Sequence, residues 1–164
     1  MPTSDERRFE EFLAEFTPEA AALGRAAVKR LRKRLPSADV MIYDNYNFLV
    51  AGFSPNERPS DAVFSIVMSA RGVALCFLEG AGLPDPHHIL RGSGRVVRNV
   101  RLDSTDDFAR PEVAMLVEVA LDHARVAFDP DRAGRFYVKS VTARKRARRK
   151  PATSQPRRKA EAPA

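Results

Sequence analysis

The chain has 164 residues and a single cysteine. That length builds one domain with a real core and is too short for two ordinary ones; one cysteine excludes an internal disulfide and a cysteine-based zinc site. The net charge of +7 is uneven: residues 143–164 carry nine basic residues against one acid, whereas residues 1–142 carry 19 basic and 20 acidic residues, so the high isoelectric point is no evidence that the body binds nucleic acid.

Phe9, Phe12, Leu13 and Phe16 recur at i, i+3, i+4 and i+7, which predicts a short amphipathic helix. The acidic N-terminus has no basic n-region or apolar h-region, and no run reaches 18 apolar residues, so no secretory signal and no membrane span are expected and the expected compartment is the cytoplasm. Thr17-Pro18-Glu19 opens a second helix, with Thr as N-cap, Pro in the first turn and an acid at the positive end of the dipole. Leu23, Ala27, Leu31 and Leu35 form its stripe. Lys29, Arg30, Arg32, Lys33 and Arg34 crowd its last turns, where cations complement the negative end of the dipole, and Pro36 stops it.

The period then changes. Val40–Asp44, Asn47–Phe53, Ala62–Ser69 and Val73–Glu79 are short β-branched or aromatic runs, separated by turn residues. In Ala62–Ser69, Phe64, Ile66 and Met68 give one apolar face. Ala70-Arg71-Gly72 is tight enough for a hairpin, with Gly supplying a positive φ. Cys76 sits inside an apolar run and reads as a buried small hydrophobe, not a nucleophile. Arg95–Leu102 is a fifth strand. Pro111 opens a helix with Val113, Leu116, Val117, Ala120, Leu121, Ala124 and Phe128 at helical spacing, and Arg135–Thr142 reads as a last, edge strand. From Ala143 the chain has no apolar period, so residues 143–164 are expected to be a disordered basic tail on a domain of residues 1–142. The order predicts an α+β fold: one antiparallel sheet of five or six strands, covered by two N-terminal helices and one C-terminal helix.

Leu90, the turn Gly92-Ser93-Gly94-Arg95, the strand Val96–Leu102 with its internal arginine, and the hairpin strand Val73–Glu79 before them resemble the bacterial YdhG-like family, a domain of unknown function. The basic strand Arg135–Val141 and the tail after it are similar to extensions common in that family, and the resemblance covers roughly residues 18–142. Where many members carry a Trp-Gly-x-Pro-like element, this chain has no Trp and reads Met41-Ile42-Tyr43-Asp44-Asn45-Tyr46. The resemblance implies a compact α/β sandwich laid out like frataxin, and with it the alternative of a frataxin-like iron-binding chaperone.

Gly92-Ser93-Gly94-Arg95 has the backbone N–H groups and the charge to cradle a phosphate, but it precedes a strand, so neither a dinucleotide fingerprint nor a P-loop is present; a tight turn is the simpler reading. Alternation puts Arg98 on one face with Val96, Val100 and Leu102, so it needs an acidic partner or an anionic ligand. His87 and His88 are adjacent and His123 stands alone on its helix, so each reads as an exposed or hydrogen-bonded histidine and no metal site is expected. For iron, the acids would be Glu11 and Glu15, one helical turn apart. No serine or cysteine stands in a recognisable nucleophile motif and no carboxylate pair stands out. The expectation is therefore a non-catalytic binding domain without a required cofactor, its cavity near Tyr43, His88, Ser93 and Arg98 holding a small or anionic ligand. The other alternative is an electrostatic adaptor, in which Arg144, Lys145, Arg146, Arg148, Arg149 and Lys150 meet nucleic acid or another polyanion.

Overall fold

A computed structural model describes residues 1–149. The elements in chain order are α1 (Ser4–Leu13), α2 (Pro18–Arg34), β1 (Asp39–Asp44), β2 (Leu49–Ser54), β3 (Phe64–Ser69), β4 (Gly72–Phe77), β5 (Arg98–Leu102), α3 (Pro111–Asp122) and β6 (Phe136–Val141). The α+β expectation holds, with one six-stranded sheet in the order β5-β4-β3-β2-β1-β6. Five strands form an antiparallel meander, tightly turned between β1 and β2 and between β3 and β4, and joined by the longer connections 55–63 and 78–97 elsewhere. The sheet is mixed rather than wholly antiparallel: β6 runs parallel to β1. The long connection through α3 carries the chain from the β5 edge to the opposite edge, where it arrives in the direction of β1.

Helix starts follow the sequence closely. Thr17 Oγ accepts from the Ala20 N–H at 3.3 Å, and Thr3 with Glu6 forms a full capping box at α1. Helix ends follow it less well. α1 stops at Leu13, yet Phe16 beyond it is buried. α3 stops at Asp122, so Ala124 and Phe128 lie past its end. The buried stripe of α2 is Ala21, Gly24, Ala27, Val28 and Leu31, with Leu23 only half-buried.

All three helices lie on one face of the sheet. That face presents the cross-strand row Ile42, Ala51, Ile66, Leu75 and Val100, flanked by Phe53, Phe64 and Phe77. Phe64 and Phe77 meet edge to face with centroids 5.8 Å apart. Each fully buried Leu or Phe contributes about 2 kcal/mol, against about 0–1 kcal/mol for an exposed ion pair, so this row carries the fold. The ion pairs of α2 are of the weaker kind: Arg25 with Glu10 at 2.7 Å, Arg32 with Glu6 at 2.6 Å, and Arg34 with Glu118. They tie α2 to α1 and α3, in line with the reading of its basic end as a solvated helix terminus.

β6 is an edge strand protected in two ways. Asp5 of α1 accepts from the Val138 N–H at 3.0 Å, and a bulge opposite Ile42 and Tyr43 leaves Lys139 out of the ladder.

The boundary expected at Thr142 needs correction. Residues 143–149 continue beside the β1–β2 turn, with the Thr142 N–H on Asp44 O at 2.7 Å and the Arg146 N–H on Tyr46 O at 2.8 Å. Arg148 is 2% exposed at its side chain, and it pairs with the fully buried Asp44 and with Glu15 at 3.2 Å. The segment has no apolar period to announce this. What holds it is one buried carboxylate, Asp44, whose charge requires cations. Residues 150–164, the remainder of the expected tail, lie outside the described residues.

Candidate functional site

A cavity of about 320 Å³ opens where β3 begins and β4 ends. The backbone ladder runs on past both strands there: the Val63 N–H donates to Phe53 O at 2.9 Å and the Leu78 N–H to Val63 O at 3.1 Å. Val63, Phe77, Leu83, Val96 and Ala120 make the wall apolar. Asp61, Glu79, Arg95, His123 and Arg125 set charge around it.

Each wall has a local cause. The tight turn Gly80–Gly82 closes against β5 because Gly80 has no side chain: a Cβ there would lie 2.6 Å from Arg98 Cβ and 2.9 Å from Arg98 N. The Ala81 N–H donates to Val96 O at 2.8 Å, which brings Val96 and Arg95 to the cavity. α3 ends at the cavity with His123 as its C-cap. Arg125 then folds back onto Glu79, Nη2 to Oε1 at 2.6 Å. This pair uses much of the Arg125 charge. Arg95 has no acidic partner among the described residues. The site is thus an apolar box with one uncommitted guanidinium and one imidazole at its mouth.

Sequence reasoning missed this cavity. Glu79 and Arg125 stand 46 residues apart, and His123 read as a lone helix residue. Their types carry no motif; only the packing of the α3 terminus against the β4 end joins them.

The four residues expected to share a ligand site are not brought together. Tyr43 is on β1 and Arg98 on β5, with β2, β3 and β4 between them, a separation of about 19 Å at the usual strand spacing. Tyr43 lies on the face without helices, its hydroxyl donating to Met41 Sδ at 3.5 Å. Burial, and then the neighbouring Tyr137, pushes that hydroxyl above its ordinary pKa. His88 occupies the left-handed region at φ 53°. This twist aims the Ile89 and Leu90 N–H groups at the two carboxylate oxygens of Asp85, each at 3.0 Å, so the turn is an aspartate-capped one.

Ser93 belongs to a seven-residue loop, residues 92–98, closed by Arg91 and Asn99. These two exchange both backbone hydrogen bonds, at 2.8 and 2.9 Å. Gly92 has φ 121°, which supports the turn reading of the glycines. The closed loop also explains why β5 starts at Arg98 and not at Arg95. Arg98 does not find an acidic partner among the described residues. Its guanidinium donates to the carbonyls of Gly94 and Val97, the latter at 2.8 Å. These acceptors are open to water, so Arg98→Met is expected to cost no more than about 1.5 kcal/mol in a denaturant titration.

Of the six expected polyanion-binding cations, Lys145 and Arg148 face inward. Lys145 pairs with Asp44 and, at 3.1 Å, with Glu15. Partial burial lowers the Lys145 pKa, but the hydrogen bonds to Asp44 and Glu15 outweigh it and raise the value overall. Arg144, Arg146 and Arg149 are exposed, and Lys150 lies outside the described residues. Glu15, one of the two acids considered for iron, is engaged by both inward cations and stands past the end of α1. Among the described residues no group of three His, Cys, Asp or Glu side chains is placed to hold a metal ion. No helix there is long and apolar enough to cross a membrane.

No family model, curated protein or solved structure matches this chain.

Proposed function

We propose that the protein is a non-catalytic binding domain of the YdhG-like type, and that the cavity between β3, β4 and the end of α3 takes a small ligand with an apolar body and a single anionic group. One observation carries the reading: an apolar cavity with an uncommitted Arg95 at its mouth. Its volume of about 320 Å³ lies at the small end of ligand pockets, roughly 300–1,000 Å³. An apolar wall with one convergent charge is the usual pattern of such sites, the wall supplying affinity and the charge fixing orientation. The mixed rim disfavours a dianion, because Asp61 and Glu79 would repel it.

The cysteine supplies the cavity with no thiolate. Burial pushes the Cys76 thiol up to about 11, opposed only in part by its hydrogen bond with Ser65. It therefore stays protonated at neutral pH, and it sits on β4 away from the cavity.

The test is a thermal-shift series with small aryl and alkyl carboxylates on the full chain. A ligand at 100 times its Kd is expected to stabilise by about 2.7 kcal/mol. Arg95→Met should remove the preference for the acid over its amide. Ala81→Phe, at an exposed position on the cavity rim, should block binding without unfolding the protein. Binding that persists unchanged in Ala81→Phe would place the ligand elsewhere and end this reading.

A further inference from the structure

A second groove lies at the opposite ends of β3 and β4, and it has a different character. Its volume is about 420 Å³, and its lining includes Phe48, Arg71, Arg146 and Arg149 but no acid. Three segments build it: the β1–β2 turn, the β3–β4 hairpin and the segment after β6.

The β1–β2 turn is held open. Asn45 closes it, with its N–H on Phe48 O at 3.0 Å and its Oδ1 accepting from the Phe48 N–H at 3.1 Å. From beneath, Arg148 donates to Asn45 O at 3.1 Å and Phe48 O at 3.4 Å. The aromatic residues of the turn therefore point away from the core: Tyr46 is 48% exposed and Phe48 is 42% exposed. In the two-residue hairpin, Gly72 at φ 131° lets Arg71 stand at the tip. Arg101, beside Gly72, lies outside the groove and is paired with Asp103 at 3.7 Å. Arg146 is exposed and held in place through its backbone N–H on Tyr46 O. Arg149 donates to the carbonyls of Ala14 and Glu15 at 3.1 and 3.3 Å, which orders it without neutralising it.

We infer that this groove binds single-stranded nucleic acid, with Arg71, Arg146 and Arg149 on successive phosphates and Tyr46 and Phe48 stacking on bases. The inference stands independently of the cavity. Exposed aromatics interleaved with arginines are what a single strand offers partners for: a flexible backbone of anions carrying unstacked π-faces. Duplex DNA hides its base faces in the stack and would use only the arginines. A simple polyanion would use only the arginines as well. The inward pairing of Lys145 and Arg148 gives the fold a part in the site, because it fixes the segment that presents Arg146 beside Tyr46.

The experiment is fluorescence anisotropy with the full chain and four probes: a 15-nucleotide oligo-dT, the matching oligo-U, a 15-base-pair duplex, and inorganic polyphosphate of similar charge. Tighter binding of a single strand than of the duplex and the polyphosphate is expected. Preference between oligo-dT and oligo-U then tells DNA from RNA. Tyr46→Ala and Phe48→Ala should each weaken single-strand binding by about tenfold and leave polyphosphate binding unchanged. Arg71→Ala should weaken all four probes and reduce the single-strand salt slope by about 0.7. The cations beyond residue 149 cannot produce these effects, since the substitutions lie in the two turns. Equal affinity for single strand and polyphosphate, or no loss in both aromatic variants with their melting temperatures intact, overturns the inference.

Discussion

A chain ending at Thr142 is expected to be about 3–5 kcal/mol less stable than one ending at Arg149. Asp44 is fully buried, and the two cations against it, Lys145 and Arg148, both come from the segment after Thr142. Removing them strands a carboxylate in the interior, where an uncompensated charge costs far more than the pair contributes. Arg148 also lies over the Phe16 ring, 5.1 Å from its centroid, so the truncation uncovers part of the core as well. For a domain of this size the loss corresponds to a fall in Tm of roughly 10 °C. Thermal melts of the two truncated chains decide the point. Coincident melts would mean that the Asp44 pairs contribute nothing. A second comparison isolates the charge: Asp44→Asn in the 142-residue chain should recover part of the loss, because the stranded charge is then gone.

The second large effect belongs to Asp39. This carboxylate is fully buried at the start of β1, gripped by Arg132 through two hydrogen bonds of 2.8 and 3.0 Å and by the Arg135 N–H at 3.0 Å. Burial raises its pKa, but the hydrogen bonds from Arg132 and Arg135 and the charges of both arginines outweigh that, so the group is held below its ordinary value. Its folded pKa is thus depressed relative to the unfolded one. The stability it contributes is fully present above the unfolded value of about 3.9 and is lost as pH falls through the folded value. Asp39→Ala should cost about 3 kcal/mol at pH 7, the low end of the range for a broken buried pair, because the Arg132 side chain is 28% exposed and keeps some hydration. In urea titrations the gap between wild type and variant should shrink as pH drops below about 4. A gap that stays constant down to pH 2 would show that Asp39 acts through packing rather than charge. The same carboxylate explains how the chain reaches β6: Arg132 and the Arg135 N–H dock on it immediately before the strand begins.

The helices and the meander were legible because their signals are local. Thr17-Pro18 starts α2, Ala70-Arg71-Gly72 turns β3 into β4, and Phe64, Ile66 and Met68 take the core face as their alternation requires. Such features need only the chemistry of neighbouring residues. The candidate sites were less legible. Alternation asks an acid or an anionic ligand of Arg98, and it says nothing of the carbonyls that the closed loop of residues 92–98 supplies. Tyr43 was placed beside Arg98, although the strand order sets three strands between them.

By itself, the sequence determined the fold class, the order of the strands and helices and most of their bounds, the end of α3 excepted, the apolar face of the sheet and the charge contrast between residues 1–142 and 143–164. These depend on periodicity, capping and composition, which are properties of short windows. Only the tertiary structure decided that β6 joins β1 in parallel, that Asp44 draws Lys145 and Arg148 back onto the body, and that Glu79, Arg95, His123 and Arg125 surround one cavity. Each of these joins residues far apart in the chain, and none is encoded in a spacing. A buried charge selects its partner by where the folded backbone delivers one, and a cavity exists only where elements that share no local pattern fail to fill the space between them.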